Sequence, residues 1–249
     1  KINAMKTLEN HTLLYDKDCP MCEVYSSTFI KCGMLEKEGR ENFSQMSEKN
    51  EILIDYNRAK NEIALINQNS REVSYGLDSL LVIIGNSFPT LEKIGRIKPI
   101  YWFFKKFYSF ISYNRKVIVP SSELVTEKSC VPSFNLKYRL FYIFISLVFS
   151  TLIFKNFLLE ISTLNPNFQI AFYGFTILLA VQIAAHLLTL NKKYLDYFGN
   201  LMTVLLASSL LTLSFISLKV GPEFSLYFMF FLLLFMSIEL HRRYLILKK

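Results

Sequence analysis

The chain has 249 residues, 52% of them hydrophobic, with 23 Phe, 14 Tyr and a formal net charge of +8. Residues 1–136 carry 18 Lys and Arg against 16 Asp and Glu, whereas residues 137–249 carry 10 against 4, so the basic excess flanks the apolar runs of the second half. That pattern fits membrane topology and weighs against a nucleic-acid partner, and four cysteines are too few for a disulfide scaffold of this length.

Lys1 to His11 is polar, so no signal peptide is expected. Thr12-Leu13-Leu14-Tyr15 reads as a strand. After it come Asp16-Lys17-Asp18-Cys19-Pro20-Met21-Cys22 and then a run with apolar residues at helical spacing, giving a predicted helix over 20–32. Two cysteines three apart therefore meet a helix N-terminus, whose unpaired N–H groups and positive dipole end favour a thiolate on Cys19. Pro20 is suited to the first helical position, where its missing N–H costs nothing. Cys22, one turn on, can attack a mixed disulfide on Cys19. The chemistry expected is dithiol–disulfide exchange, with Cys19 attacking and Cys22 resolving; it needs both cysteines exposed at the helix start, with the Cys22 side chain half covered. Asp16 has two readings: it accepts the Cys22 proton, or it caps the helix, as Asp18 also can. The negative charge of both opposes the helix terminus and raises the Cys19 pKa. Half of a zinc site is the competing reading of Cys-x-x-Cys, but no second pair repeats the spacing.

Further along, a polar turn is expected around Gly39, a weak strand over Asn42–Met46 and a short helix over Glu51–Lys60. Glu62–Asn67 and Glu72–Tyr75 read as a hairpin around a turn at Gln68–Ser70. Leu77–Ile84 reads as a helix stopped by Gly85-Asn86. Residues 93–118 interleave Lys93, Arg96, Lys98, Lys105, Lys106, Arg115 and Lys116 with Tyr101, Trp102, Phe103, Phe104, Phe107, Tyr108 and Phe110. Two readings stand together there: a pair of helices closing the sheet, and an amphipathic surface on anionic lipid.

The first motif, Tyr15-Asp16-x-x-Cys19-Pro20-x-Cys22, resembles that of the DCC family of predicted thiol–disulfide oxidoreductases. Ser74-Tyr75-Gly76-Leu77-Asp78-Ser79-Leu80 resembles the family's Tyr-Ser-Gly-x-x-Ala segment, and Ile111-Ser112-Tyr113-Asn114-Arg115 its closing Ala-Arg-x-Arg segment. The resemblance covers about residues 11–118. It implies an α/β thioredoxin-like domain over 1–118 and a protein or small-molecule thiol or disulfide as substrate; no cofactor or metal is expected, since no zinc-spaced second pair, HExxH or phosphate-cradling glycine loop is present. It adds Asp18, Pro20 and Arg115 as secondary site candidates beside Cys19, Cys22 and Asp16. Lys17 stands where the family has glycine and Ser79 where it has alanine. No proline precedes the third strand, where thioredoxins carry a cis-proline that presents substrate.

Residues 119–136, with Pro120, Pro132 and four serines, read as a linker in which Cys130 is a spare thiol. Four apolar segments follow, Tyr138–Glu160, Phe168–Leu190, Phe198–Val220 and Phe224–Leu247, each of about 23 residues against the roughly 20 that span a bilayer. Short joining loops imply an all-α four-helix transmembrane bundle over 137–249. Lys128, Lys137, Arg139, Lys192, Lys193, Arg242, Arg243, Lys248 and Lys249 fall on one side, and Lys155 and Lys219 on the other. This asymmetry puts both termini in the cytoplasm, at the inner (plasma) membrane, where thiols are kept reduced. Gln182, His186, Asn200, Glu239 and His241 are the polar residues of the spans; interhelical hydrogen bonding is favoured over a haem or quinone site. Two functions follow. One is a membrane-anchored thiol–disulfide oxidoreductase with the lipid bilayer as its second partner. The other is an accessory subunit that docks other membrane subunits through its N-terminal domain.

Overall fold

The computed structural model describes residues 5–120, 130–162, 177, 192–218 and 222–248. The chain divides into two units, Lys1–Ser133 and Phe134–Lys249.

In the first unit, β1 (His11–Tyr15) leads into α1 (Pro20–Lys31) and returns as β2 (Arg40–Asn42). Two single turns, α2 (Glu48–Glu51) and α3 (Tyr56–Ala59), precede the hairpin β3 (Ala64–Asn67) and β4 (Val73–Tyr75). Then come α4 (Leu77–Ser87), α5 (Pro89–Gly95) and α6 (Lys98–Ile118). The strands form one mixed sheet in the order β2-β1-β3-β4, with β1 parallel to β2 and antiparallel to β3. Successive side chains of a strand point to opposite faces, and both faces of this sheet are apolar. Leu13 and Leu65 pack with Leu35 and Ile83 on one face, and Leu14, Ala64 and Ile66 pack with Phe43, Met46 and Ala59 on the other.

Three local expectations change. The second strand ends where it was expected to begin, because the Asn42 side chain accepts the Ser44 N–H and starts a 3₁₀ turn at Phe43–Gln45. The helix expected over 51–60 is two turns, the second started by Asp55, whose side chain accepts the Arg58 N–H at 3.1 Å. Gly85 lies inside α4 instead of ending it: a Cβ there would collide with the Glu92 side chain, so the glycine admits that α5 side chain. The helix stops at Phe88, ahead of Pro89, where the residue before a proline disfavours helical backbone.

The second unit holds α7 (Leu136–Ser162), α8 (Lys192–Ser217) and α9 (Pro222–Lys248). Among the described residues, two helices, over Leu136–Leu159 and Lys192–Ser217, are long and apolar enough to cross a membrane. α7 and α8 run in the same direction. Arg139 meets Asp196 at 3.3 Å near their starts, and Tyr142 and Thr203 hydroxyls bond at 2.7 Å further along both helices. α9 runs opposite to α8: its late residue Arg243 donates to Asn200 Oδ1 at 3.0 Å, and its early residue Phe228 stacks on Phe215 at 4.1 Å. Asn200 and Glu239 are both taken up in such contacts, Glu239 with Arg242 and Arg243. The segment Phe168–Leu190, apart from Ile177, lies outside the described residues, and with it Gln182 and His186.

Candidate dithiol site

Cys19 is the N-cap of α1, and Pro20 occupies its first turn. Neither aspartate caps the helix. Asp16 Oδ1 instead accepts the Asp18 N–H at 3.1 Å, closing the turn between β1 and α1, and Asp18 is exposed in that turn. Lys17 sits in the same turn with an ordinary negative φ, so glycine is not required there.

Both cysteines are free thiols, and each is only 3% exposed. This corrects the expectation of two exposed sulfurs. Cys22 and Ser26 form the buried stripe of α1, so Cys22 points into the domain. The neighbouring Cys22 thiol is the largest influence on Cys19, favouring its thiolate. The Cys22 backbone N–H and the Arg115 guanidinium add to it, while burial and Asp16 oppose it, leaving Cys19 lowered from 9.0 to about 6. No side-chain cap bond of ordinary geometry closes at Cys19, so the Cys22 amide acts on the sulfur chiefly through its charge distribution. The same pairing acts in the opposite sense on Cys22: a proton kept beside Cys19, together with burial, pushes it far above the usual thiol range. Tyr25, one turn beyond Cys22, lines the same cavity as Cys22, and burial raises it well above 10.0.

Beneath Cys22 lies a cavity of about 10 Å³, room for about one water, whose walls include Asp16, Cys22, Tyr25, Arg115 and Cys130. Arg115 and Asp16 are 4% and 2% exposed, and Arg115 Nη2 lies 3.5 Å from Asp16 Oδ2. Arg115 Nη2 also donates to the Lys60 carbonyl at 3.1 Å and to the Cys130 carbonyl. A buried charge is tolerated only when it is paired and hydrogen-bonded, and Arg115 has this environment.

The segment leading into β3 is held by one face of α6. Tyr108, Ser112 and Arg115, spaced i, i+4 and i+7, share that face. The Tyr108 hydroxyl accepts the Ile63 N–H at 2.9 Å, Ser112 Oγ donates to the Asn61 carbonyl, and Arg115 takes that of Lys60. The Ile63 carbonyl accepts from the Gly76 N–H at 2.8 Å and from Ser79 Oγ at 3.3 Å, which gives Ser79 its role. Gly76 has φ +61°, and a Cβ there would meet Glu62 at 3.0 Å and Tyr108 at 3.1 Å.

Cys19, Cys22, Asp16 and Arg115 are thus brought together, while Asp18 and Pro20 stay on the exposed rim and Cys32 is exposed at the far end of α1. Tyr25, Tyr108 and Cys130 were missed. Tyr25 could have been found from its i+3 spacing to Cys22, and Tyr108 from its spacing to Arg115; nothing local marks Cys130. Residues 130–133, read as linker, are bonded to this unit: Ser133 N and Oγ both donate to Asn61 Oδ1 at 2.7 Å. Comparison with protein-family models, with curated proteins and with solved structures finds no match for the chain.

Proposed function

We propose that the chain is a membrane-anchored thiol–disulfide oxidoreductase whose first unit is a thioredoxin-like domain of the DCC type. The observation that carries this reading is the matched pair at the start of α1: one thiol lowered to about 6 and its neighbour raised, over a buried Asp16–Arg115 pair. The β-α-β then β-β-α order and the strand order β2-β1-β3-β4 support the thioredoxin-like assignment.

The Cys19 thiolate attacks one sulfur of a substrate disulfide, forming a mixed disulfide and releasing the other half as a thiolate. That bond removes the negative sulfur that Cys22 had been serving, so Cys22 no longer holds its proton for Cys19. Asp16, on the wall of the same cavity, takes the proton. The Cys22 thiolate then attacks Cys19, forming the Cys19–Cys22 disulfide and expelling the second substrate half as a thiolate, which takes the proton from Asp16 and leaves it ionised again. The substrate gains two electrons and the dithiol loses two. Because Cys19 is covered, exchange requires the start of α1 to open or the substrate to displace what lies over it.

The membrane part of the proposal is a four-helix bundle in the inner membrane with both termini cytoplasmic. The two helices long and apolar enough to cross support it, as does the excess of Lys and Arg on one side of the apolar segments. α6 suits the same leaflet: Trp102, Phe103, Phe104 and Phe107 are exposed among Lys98, Lys105 and Lys106, with no acidic residue from 93 to 118.

The test is to purify full-length Cys22→Ser from membranes under acid quench and to identify what is disulfide-bonded to Cys19. A substrate thiol held on Cys19 and absent from Cys19→Ser supports exchange. An empty Cys19, with other membrane subunits copurifying, supports the docking subunit instead.

A further inference from the structure

Cys130 is 111 residues from Cys19 in sequence, yet it is 4% exposed and forms part of the same cavity wall as Cys22 and Asp16. It belongs to the apolar cluster of Leu14, Phe43 and Ala59, but a cation and a backbone carbonyl also reach its sulfur. Arg115 Nη2 lies 3.3 Å from its sulfur, the thiol faces the Lys60 carbonyl at 3.9 Å, and its own carbonyl accepts from Arg115. Reactive cysteines lie beside cations, and structural ones lie in apolar surroundings. Cys19 does not contribute to this cavity, so Cys22 is the member of the dithiol that Cys130 shares it with.

We propose that Cys130 is a third redox thiol of the site, which takes over the disulfide by attacking the Cys22 sulfur of the Cys19–Cys22 bond. This rests on the exchange reading given above. Cys130 gives its proton to Asp16, and its thiolate forms a bond to Cys22 as the Cys22–Cys19 bond breaks. Cys19 leaves as the thiolate, which the start of α1 already favours. One disulfide is lost and one is formed, so no external oxidant or reductant enters the step. Sulfurs must close to about 2.05 Å, so the small cavity collapses and the Cys130 thiol leaves the Lys60 carbonyl. The segment carrying it is held by the Arg115 and Ser133 bonds, which a local shift can break. The result frees Cys19 for a second attack and fastens residue 130, just ahead of α7, to α1 by a covalent bond.

The experiment uses the full chain in detergent, in a Cys32→Ser background. It is oxidised with diamide, blocked with N-ethylmaleimide, digested and analysed for linked peptides. The expected result is a Cys22–Cys130 linkage beside Cys19–Cys22 in the otherwise unaltered chain, and Cys22–Cys130 as the main linkage in Cys19→Ser. Adding Cys130→Ser to Cys19→Ser should leave Cys22 unlinked. If Cys19–Cys22 forms while Cys130 stays a free thiol throughout, the relay is wrong and the exchange reading stands. If neither linkage forms, both are wrong.

Discussion

Replacing Arg115 with methionine tests the physical basis of the dithiol site. The guanidinium is 4% exposed, 3.5 Å from Asp16 Oδ2, and bonded to the Lys60 and Cys130 carbonyls. At an effective dielectric of about 20, a pair at that distance is worth roughly 5 kcal/mol. Removing one partner leaves a buried charge, at a cost of about 3–5 kcal/mol. The orphaned carbonyls act in the same direction. Against a whole-domain stability of roughly 5–15 kcal/mol, the loss should be plain in a denaturant titration of the full chain in detergent, followed by the protection of Cys22 from alkylation. Asp16→Asn combined with Arg115→Met should recover at least about 1 kcal/mol, since the unpaired carboxylate is gone. The charge has a second signature. Arg115 lowers Cys19 and Asp16 raises it, so Arg115→Met moves the alkylation midpoint of Cys19 upward from about 6, and Asp16→Asn moves it downward. A stability loss under about 1 kcal/mol, or a Cys19 midpoint that stays put in both variants, would refute the reasoning.

Cys19 is held below its ordinary value of 9.0, at about 6. Between those two values the unfolded chain binds more protons at this site. The stabilisation is therefore present above pH 9, is lost as pH falls through 6, and makes unfolding free energy rise with pH across the window; denaturation of Cys19→Ser should lack that rise. At pH 7 Cys19 is about nine-tenths thiolate but covered, so exposed Cys32 should react first with a bulky maleimide, an order read by peptide mapping. Gly76→Ala should cost about 1–3 kcal/mol in thermal or denaturant unfolding, because its backbone region is nearly closed to a Cβ. Trp102, the one tryptophan of the sequence, is 64% exposed. In reconstituted vesicles its emission should be quenched by brominated lipid increasingly with anionic content, and unaltered accessibility to aqueous acrylamide would count against lipid contact.

The parts of the structure that local spacing governs were legible in the sequence. β1, α1 and the β3–β4 hairpin follow from short apolar runs, Pro20 and the turn at 68–70, whereas the pair of helices expected over 93–118 is one long helix, α6, preceded only by the end of α5. The failures have local causes too: the Asn42 and Asp55 side chains start turns that no apolar period announces, and Gly85 serves a neighbour instead of a boundary. At the site, the dithiol and Asp16 are adjacent in sequence and could be read together. Arg115 entered only through the family resemblance. Its contacts to Asp16 and to Cys130 depend on α6 crossing the start of β3 and on residues 130–133 returning to the domain, which are long-range packing facts. Burial of Cys19 was likewise out of reach, since the N-cap position fixes the backbone but not the direction of the sulfur.

The central claim is that Cys19 and Cys22 are a redox pair. Its most direct test is to equilibrate the full chain with graded ratios of reduced to oxidised glutathione, quench with acid, and count alkylated thiols residue by residue. The account predicts that Cys19 and Cys22 lose their thiols together in a single two-electron transition, with an intramolecular Cys19–Cys22 disulfide in the linked peptides. Cys19 and Cys22 remaining fully alkylatable at every ratio would contradict it.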